Sequence, residues 1–316
     1  MTNPQILILS SLYDFSVDQV ILKILKNGIP YIRLNKEDFA QYRITLDPIE
    51  RCMQIRHGSD TCKITNQSLK SVWFRQPVFL RNTPSKGLSP NEQLMKSQWS
   101  AFLRGLSLFS SAKWMNWPQA TYLAESKPYQ LFLASTIGFS VPKTRVSNDI
   151  NGIQEAGFDK EVILKSLDTV LLNENLDCLF TYSTITDPHS WKDEELSNSP
   201  VLVQEYIKNK TDIRVTVIGE KLYATRILKN SQGVQGDWRT SPKSSLEYES
   251  IELSHPLSNA CLKMTNELGL NFAAIDLLEI DNQFIFLEIN PTGEWQWITT
   301  NERPFDRLIA EWLCDF

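Results

Sequence analysis

Two acidic residues set in the middle of strand-like apolar runs constrain this chain more than any other feature: Asp276 in AAIDLLEI and Glu288 in FIFLEIN. The two runs are read as an antiparallel hairpin. A carboxylate buried without a partner is strongly destabilising, so positive groups are expected close to both. Glu288 and Asn290 lie two apart on one strand and therefore face the same side. If the connection is Asp281-Asn282-Gln283, Ile280 and Phe284 flank it and Asp276 falls opposite Glu288. A two-residue turn shifts that register by one and sends the two acids to opposite faces. Two carboxylates and an amide oxygen converging in this way suit a hard cation such as Mg²⁺, which takes oxygen ligands and keeps waters or phosphate oxygens as the rest. The alternative is a hairpin whose carboxylates are salt-bridged to arginines.

The rest of the chain narrows the setting. Its 316 residues suffice for one large core or two to three packed lobes. With 42% hydrophobic and 22% charged residues, and no apolar run of about eighteen or more, a globular chain with no membrane partner is expected. The start, MTNPQILILSS, has no basic region and no small-residue cleavage site, and reads as a first strand. A net charge of −5 and a pI near 5.4 argue against nucleic acid as a partner, leaving room for a local basic site for phosphates. Cys52, Cys62, Cys178, Cys261 and Cys314 are scattered, with no CxxC, which fits reduced thiols in a cytoplasmic protein. His57, His189 and His255 are far apart, so a zinc site is not expected.

The N-terminal part has a β-α-β rhythm. Ile6 to Ser10 is a strand; Ser16 and Gln19 fit a capping box; Val17, Val20, Ile21, Ile24 and Leu25 recur at helical spacing up to Gly28 as C-cap; Ile29 to Leu34 is the second strand. No GxGxxG follows the first strand, so a dinucleotide site there lacks support. Short strands and turns fill residues 40–75, ending in SVWFR, whose Arg75 is either an exposed strand-end residue or one aimed into a cleft. A loop over Asn82 to Asn91 leads to a helix over Glu92 to Phe109, with Leu94, Trp99, Phe102, Leu103 and Leu106 as its buried face. A boundary is placed near residue 120, giving domains 1–120, 121–205 and 206–316. Ser126 is the expected N-cap of a helix that holds Pro128 in its first turn and ends at Gly138, and Asp193 to Ser199 reads as a surface loop.

Cationic and polar residues fall at the ends of several elements. Lys165 closes the apolar strand VILK, and Lys127 stands at a helix start. The strand Val201 to Ile207 has a polar end, Gln204-Glu205-Tyr206, fit to hold a base by backbone hydrogen bonds. Asp212-Ile213-Arg214 opens a strand that turns at Gly219-Glu220, and Gly236-Asp237-Trp238-Arg239 follows in a glycine-containing loop. Singly, each lysine is as consistent with a solvated strand or helix end as with a phosphate contact.

The order Lys127, Lys165, QEYI, DIRVTVIG, GDWR and D-x11-E-x-N resembles the ATP-grasp superfamily, in its ribosomal-protein glutamate ligase-like branch, over roughly residues 121–295. Over nearly the whole chain, ILILSSLYDFSVDQVILKILKNGIPYIRLNKEDF, SVWFRQP, the helix after ESKPYQ and NPTGEWQW are similar to the ATP-grasp peptide maturases, the graspetide (microviridin-type) synthetases and grasp-with-spasm maturases. That resemblance implies an α+β ATP-grasp fold with an N-terminal α/β pre-ATP-grasp lobe, a central small lobe and a C-terminal lobe. It implies ATP and Mg²⁺ as cofactors, a precursor peptide (leader plus core) as substrate, and a homodimer. Lys127 and Lys165 would hold ATP phosphates; Gln204, Glu205 and Tyr206 would line the adenine pocket; Asp212 would contact the ribose side. Arg214 and Arg239 would face the phosphates and the activated acyl group, and Asp276, Glu288 and Asn290 would bind Mg²⁺. The implied reaction joins Asp/Glu side chains to Ser/Thr hydroxyls or Lys amines through an acyl phosphate. Alternatives are a ligase adding glutamate or a similar residue to a protein or small molecule, and a non-catalytic nucleotide- or peptide-binding protein. The chain departs from the pattern in two places. Ser166 to Val170 lacks the glycines of a phosphate-covering loop, which leaves a lid over Ser166 to Phe180 as the expectation, and Gln76 stands where such maturases often carry a second arginine.

Overall fold

The computed structural model describes residues 3–75, 88–167 and 183–316, together with the backbone of the strands at 171–174 and 177–180. Gln76, the side chain of Cys178 and most of the stretch proposed as a lid lie outside the described residues.

The chain opens as β1 (Ile6–Ser10), all five residues buried, then α1 (Phe15–Lys26) and β2 (Tyr31–Asn35), which runs parallel to β1. Val17, Val20, Ile21 and Ile24 form the buried face of α1, while Leu25 is exposed. The expected capping box is absent. The helix starts at Phe15, so Ser16 lies inside its first turn and donates its hydroxyl to the Asp14 carboxylate. Asp14 holds the N-cap position without capping, because its carboxylate is turned inward to Arg75. Gly28 takes a left-handed φ of +67° just past the helix end, where a side chain would be strained.

A three-stranded antiparallel meander follows: β3 (Arg43–Asp47), β4 (Cys52–His57) and β5 (Asp60–Thr65). Next come β6 (Ser71–Phe74) and α2 (Pro90–Gly105), which starts earlier than the apolar spacing predicts because Ser89 and Glu92 close a capping box. Leu103 and Leu106 are buried and Trp99 and Phe102 pack against the same cluster, but Leu94 faces solvent, one turn before the helix reaches the core. β7 (Lys113–Met115) completes a parallel sheet in the order β2-β1-β6-β7.

The chain continues through α3 (Pro118–Ala124) and α4 (Lys127–Ile137). Ser126 is the N-cap residue of α4, without a side-chain bond, and Gly138 ends it at φ +108°. β8 (Thr144–Ser147), α5 (Ile150–Glu155), β9 (Val162–Lys165), the hairpin of β10 (Leu171–Glu174) and β11 (Asp177–Phe180), β12 (Thr184–Thr186), α6 (Asp193–Leu196) and β13 (Val201–Glu205) come next. An antiparallel sheet β12-β9-β13-β8 results. The segment from Asp193 is partly helical, since Leu196 is pulled into a small core with Ile153, Phe158, Val162 and Val203.

The largest sheet contains β14 (Thr211–Ile218), β15 (Lys221–Lys229), β16 (Gln232–Gly233), β17 (Glu247–Ile251), then, after α7 (His255–Glu267), β18 (Phe272–Ile280) and β19 (Gln283–Asn290). Alternation along its strands separates two faces. Ile213, Val215, Val217, Ile275 and Leu277 join a core with residues of α4 and α7, leaving Asp212, Arg214 and Asp276 for the other face. α8 (Phe305–Cys314) returns to the first sheet: Phe305, Leu308, Ile309 and Leu313 share one core with Ile6, Ile8, Val17 and Ile24. No described helix is long and apolar enough to cross a membrane.

Candidate active site

The connection between β18 and β19 is a two-residue turn, Asp281-Asn282, with φ of 47° and 62°. Both values are left-handed, as a tight primed hairpin turn requires, and Asp and Asn tolerate them best after glycine. Of the two connections that the sequence left open, the chain thus takes the one that, in a regular ladder, sends the acids to opposite faces. A β-bulge corrects the register. Pairing runs from Ile280↔Gln283 to Leu277↔Phe286, then skips Leu287, so that Asp276 faces Glu288 and Ala274 faces Asn290. The sequence places the two acids together only if that extra residue is known.

Positive groups meet the pair from two directions. Arg214, directly across from Asp276 on β14, donates from Nε to Asp276 Oδ1 at 2.6 Å and from Nη1 to the Glu294 carbonyl at 3.2 Å. Arg239 arrives from the loop after β16. There Gly236 adopts φ +74° and the Asp237 carboxylate caps the following turn by accepting from Arg239 N. Its Nη2 lies 3.3 Å from Asp276 Oδ2 and 3.1 Å from Glu288 Oε1. Asn290 Nδ2 donates to the same Glu288 oxygen at 3.2 Å. On the facing sheet, Lys165 Nζ donates to Gln204 Oε1 at 2.8 Å; an ammonium only donates, so the amide nitrogen of Gln204 turns to Thr144 Oγ1, 3.0 Å away. Lys127, in the first turn of α4, reaches the Leu167 carbonyl at 3.3 Å.

The charges are unequal in effect. Burial pushes the Asp276 carboxyl above its ordinary value, only partly opposed by Arg214 and Arg239. Burial acts on Glu288 too, but Arg239, Lys165 and Lys127 outweigh it and bring it down to about 2. Lys165 is lowered by burial, with Glu288 restoring part of the loss. Burial opposes the Arg239 charge as well, yet Glu288, Asp276 and Asp237 hold its pKa above the ordinary value. Asp212 is buried and paired with Lys210, and burial raises it to about 6. The outcome is a firmly anionic Glu288 beside a firmly cationic Arg239.

These groups line a cavity of about 310 Å³ between the two antiparallel sheets. Of the residues nominated from sequence, Lys165, Gln204, Glu205, Tyr206, Asp212, Arg239, Asp276 and Glu288 line it. Lys127, Arg214 and Asn290 adjoin it without lining it: Arg214 sits behind Asp276 and Asn290 against Glu288. Ile163, Ile185, Leu278 and Trp238 supply apolar walls and Lys210 a further cation, none of which sequence reasoning singled out. A depression of about 730 Å³ lies around Arg226, but that guanidinium is already shared by Glu249 and Glu279.

The structure shows both carboxylates salt-bridged to arginines, the alternative that the sequence left open, while the donor types are ones that a divalent cation completed by phosphate takes. One oxygen of each acid converges on a single positive group, Arg239 Nη2. Among the described residues no cluster of three or more His, Cys, Asp or Glu side chains is spaced to hold a metal alone. Two carboxylates and an amide oxygen with the remaining positions left to phosphate or water match the preference of Mg²⁺.

Three buried residues hold the site from behind. Arg75 is 1% exposed, not a solvated strand end, and bonds Asp14, Glu294 and the Thr292 and Gly293 carbonyls. Asn116 takes four backbone groups, two of them on Phe272. Gln130, on α4, pairs with both the N–H and the carbonyl of Ile289, beside Glu288. Gln130 shares a helix face with Leu133 and Ala134, so its burial was readable from spacing; the partners of Arg75 lie 61 to 219 residues away and those of Asn116 155 to 175, and left no such signal.

Residues 129–312 match the family described as RimK-like ATP-grasp domain. Macrocyclase MdnC from Microcystis aeruginosa MRC, solved with precursor peptide MdnA, superposes with a TM-score of 0.82 at 22% identity, covering 99% of each chain. A RiPP-associated ATP-grasp ligase of Chryseobacterium gregarium, solved with ADP and a leader and core peptide, gives 0.81 at 21% identity, over 100% of this chain and 97% of that one. At these identities the likeness establishes the α+β ATP-grasp fold. A protein of Picosynechococcus sp. named "Probable alpha-L-glutamate ligase" is 26% identical over 185 residues, 55% of this chain and 58% of that relative. This chain thus spans less than two thirds of that relative's length. With more than half of its length matched to the family, the chain belongs to the RimK-like ATP-grasp family.

Proposed function

We propose that the chain is an ATP-dependent ligase that macrocyclises a ribosomally made precursor peptide, joining Asp/Glu side chains to Ser/Thr hydroxyls or Lys amines. The observation that carries this reading is the degree of structural likeness over the whole chain: the two peptide-bound proteins superpose at TM-scores of 0.82 and 0.81, while a RimK domain protein of Sphaerobacter thermophilus, which also covers 99% of this chain, reaches 0.58.

In this reading ATP occupies the cavity with its base toward Gln204, Glu205 and Tyr206, its ribose toward Asp212, and its phosphates toward Lys165 and Lys127. Asp276, Glu288 and Asn290 would hold Mg²⁺, which when bound neutralises charge on the phosphate oxygens. A substrate carboxylate attacks the γ-phosphorus, giving an acyl phosphate and ADP. A hydroxyl or amine of the same peptide then adds to the acyl carbon, loses its proton, and phosphate departs with the electron pair of the broken C–O bond. Arg239, the partly exposed cation between both acids, stabilises the oxyanion of that second step; Arg214 fixes the orientation of Asp276. Holding both reacting groups on one peptide raises their effective concentration greatly.

The division into 1–120, 121–205 and 206–316 is kept as part of the proposal, as are a homodimer and a reducing compartment, the last supported by free thiols at Cys52, Cys62, Cys261 and Cys314. ADP release tests the reading. The short peptide encoded beside the gene should stimulate it, and Glu288→Ala should remove the stimulation. Stimulation by free glutamate and not by peptide would support the second reading, an amino-acid ligase, which the names of the sequence relatives favour.

A further inference from the structure

The segment immediately after Asn290 is held carbonyl by carbonyl. Asn116 Nδ2 takes the Pro291 carbonyl at 2.9 Å; Arg75 Nη1 takes those of Thr292 and Gly293; Arg214 Nη1 takes that of Glu294 at 3.2 Å. The segment also packs tightly. A Cβ on Gly293 would meet that of Ala274 at 2.4 Å, a distance no side chain there tolerates. Arg75 closes the arrangement from the first sheet, with Nε on Asp14 at 2.9 Å and Nη2 on Glu294 Oε1 at 2.9 Å.

An unbroken chain of contacts follows: Asp14, Arg75, residues 292–294, Arg214, Asp276, Arg239, Glu288. Arg214 has two duties in it, since the guanidinium that orients Asp276 is itself aimed by the Glu294 carbonyl. A shift of the 292–294 segment therefore moves both Arg214 and Asn290, which is two residues upstream of Thr292. We infer that Arg75 is a positioning residue for the cation-binding acids: by clamping residues 292–294 it sets the aim of Arg214 on Asp276 and the place of Asn290 beside Glu288. The inference rests on the reading of this cavity as the Mg²⁺·ATP site. Arg75 itself does not line the cavity, so it acts on the acids and not on the base or ribose end.

The test compares Arg75→Lys, Arg75→Met and Glu294→Gln with the unmodified chain, by calorimetric titration of a non-hydrolysable ATP analogue with and without Mg²⁺. Arg75→Met should keep metal-free analogue affinity within about 2-fold and reduce the gain in affinity on adding Mg²⁺ by about 10-fold, a coupling loss equal to about 1.4 kcal/mol. Glu294→Gln keeps an acceptor oxygen for Arg75 Nη2 but removes the charge of that contact, and leaves the carbonyl bonds in place, so it should fold and show a smaller loss of the same kind. Arg75→Lys, which still bonds a carbonyl and Asp14, should recover part of it. Equal weakening with and without Mg²⁺, or no change in any variant, would overturn the inference. If Arg75→Met does not fold, an unchanged Mg²⁺ gain in both Arg75→Lys and Glu294→Gln would overturn it. Because binding is read without peptide, a chain that fails to cyclise any peptide still decides the matter. An unmodified chain that binds no nucleotide would instead remove the site reading itself.

Discussion

Asn116 joins the first sheet to the largest one through a single amide. It is 1% exposed; Nδ2 donates to the Phe272 and Pro291 carbonyls, both at 2.9 Å, and Oδ1 accepts from Asn271 N at 2.7 Å and Phe272 N at 2.9 Å. Two carbonyls on one side and two N–H groups on the other fix which end of the amide is which. Asn116→Ala leaves four backbone groups without these partners. At a net value of about 1 kcal/mol for each neutral hydrogen bond the expected loss is about 4 kcal/mol. With about 2.1 cal/mol/K of unfolding entropy per residue, a chain of this length should lose on the order of 6 °C in Tm. Asn116→Asp is the sharper perturbation, because it sets an acceptor oxygen against two carbonyl oxygens, and it should cost more than alanine despite matching asparagine in shape. Scanning calorimetry or a dye-based melt reads both variants. An Asp variant as stable as the unmodified chain, or an Ala variant within about 1 °C of it, would refute the hydrogen-bond reasoning.

Asp276→Ala, Glu288→Ala and Arg239→Ala should each lower kcat by at least about 10²-fold while the melt stays cooperative, as for loss of a preorganised electrostatic contact; a folded, fully active variant removes that residue from the mechanism. Lys165→Ala, which also releases Gln204, should weaken ATP binding by about 10- to 100-fold, the worth of a charge-assisted contact, and calorimetry showing unchanged affinity would count against the phosphate assignment. Asn282→Gly, at a left-handed turn position, should raise stability by about 0.5 kcal/mol in urea unfolding; a loss would contradict the turn geometry. Asp212 is raised to about 6, so its favourable contribution is complete below the unfolded value of about 3.9 and is lost as pH rises through about 6. Stability should fall by about 3 kcal/mol across that window, and Asp212→Asn should flatten the slope; an identical pH profile would show that the burial of Asp212 carries no such penalty.

What was legible in the sequence is what local pattern encodes. The helical spacing after Phe15, the apolar strand at Ile6–Ser10, the glycine ends at Gly28 and Gly138 and the strand read as opening at Asp212 all depend on near neighbours, and they fold as read, the last beginning one residue earlier at Thr211. The capping box at Ser16 failed because Asp14 is drawn inward by Arg75, 61 residues away. The hairpin shows the limit most clearly. Its turn chemistry favours two residues, the acid pairing requires an odd residue, and the bulge at Leu287 reconciles them in a way that neither pattern specifies alone. Of the lining charges, Lys165, Asp276 and Glu288 were readable because charges in apolar strands need partners, while Lys210, in a loop, was not. The clamps of Arg75, Asn116 and Gln130 were not assigned, since each gains its meaning only from a backbone group brought close by the tertiary fold.

The central claim is that this site forms a covalent link within a peptide, and intact-mass spectrometry of the peptide encoded beside the gene, after incubation with the chain, ATP and Mg²⁺, addresses it most directly. The account predicts the loss of one water for each bond formed, dependent on ATP and absent with Glu288→Ala. A peptide of unchanged mass, or one that has gained an amino-acid residue, would contradict it.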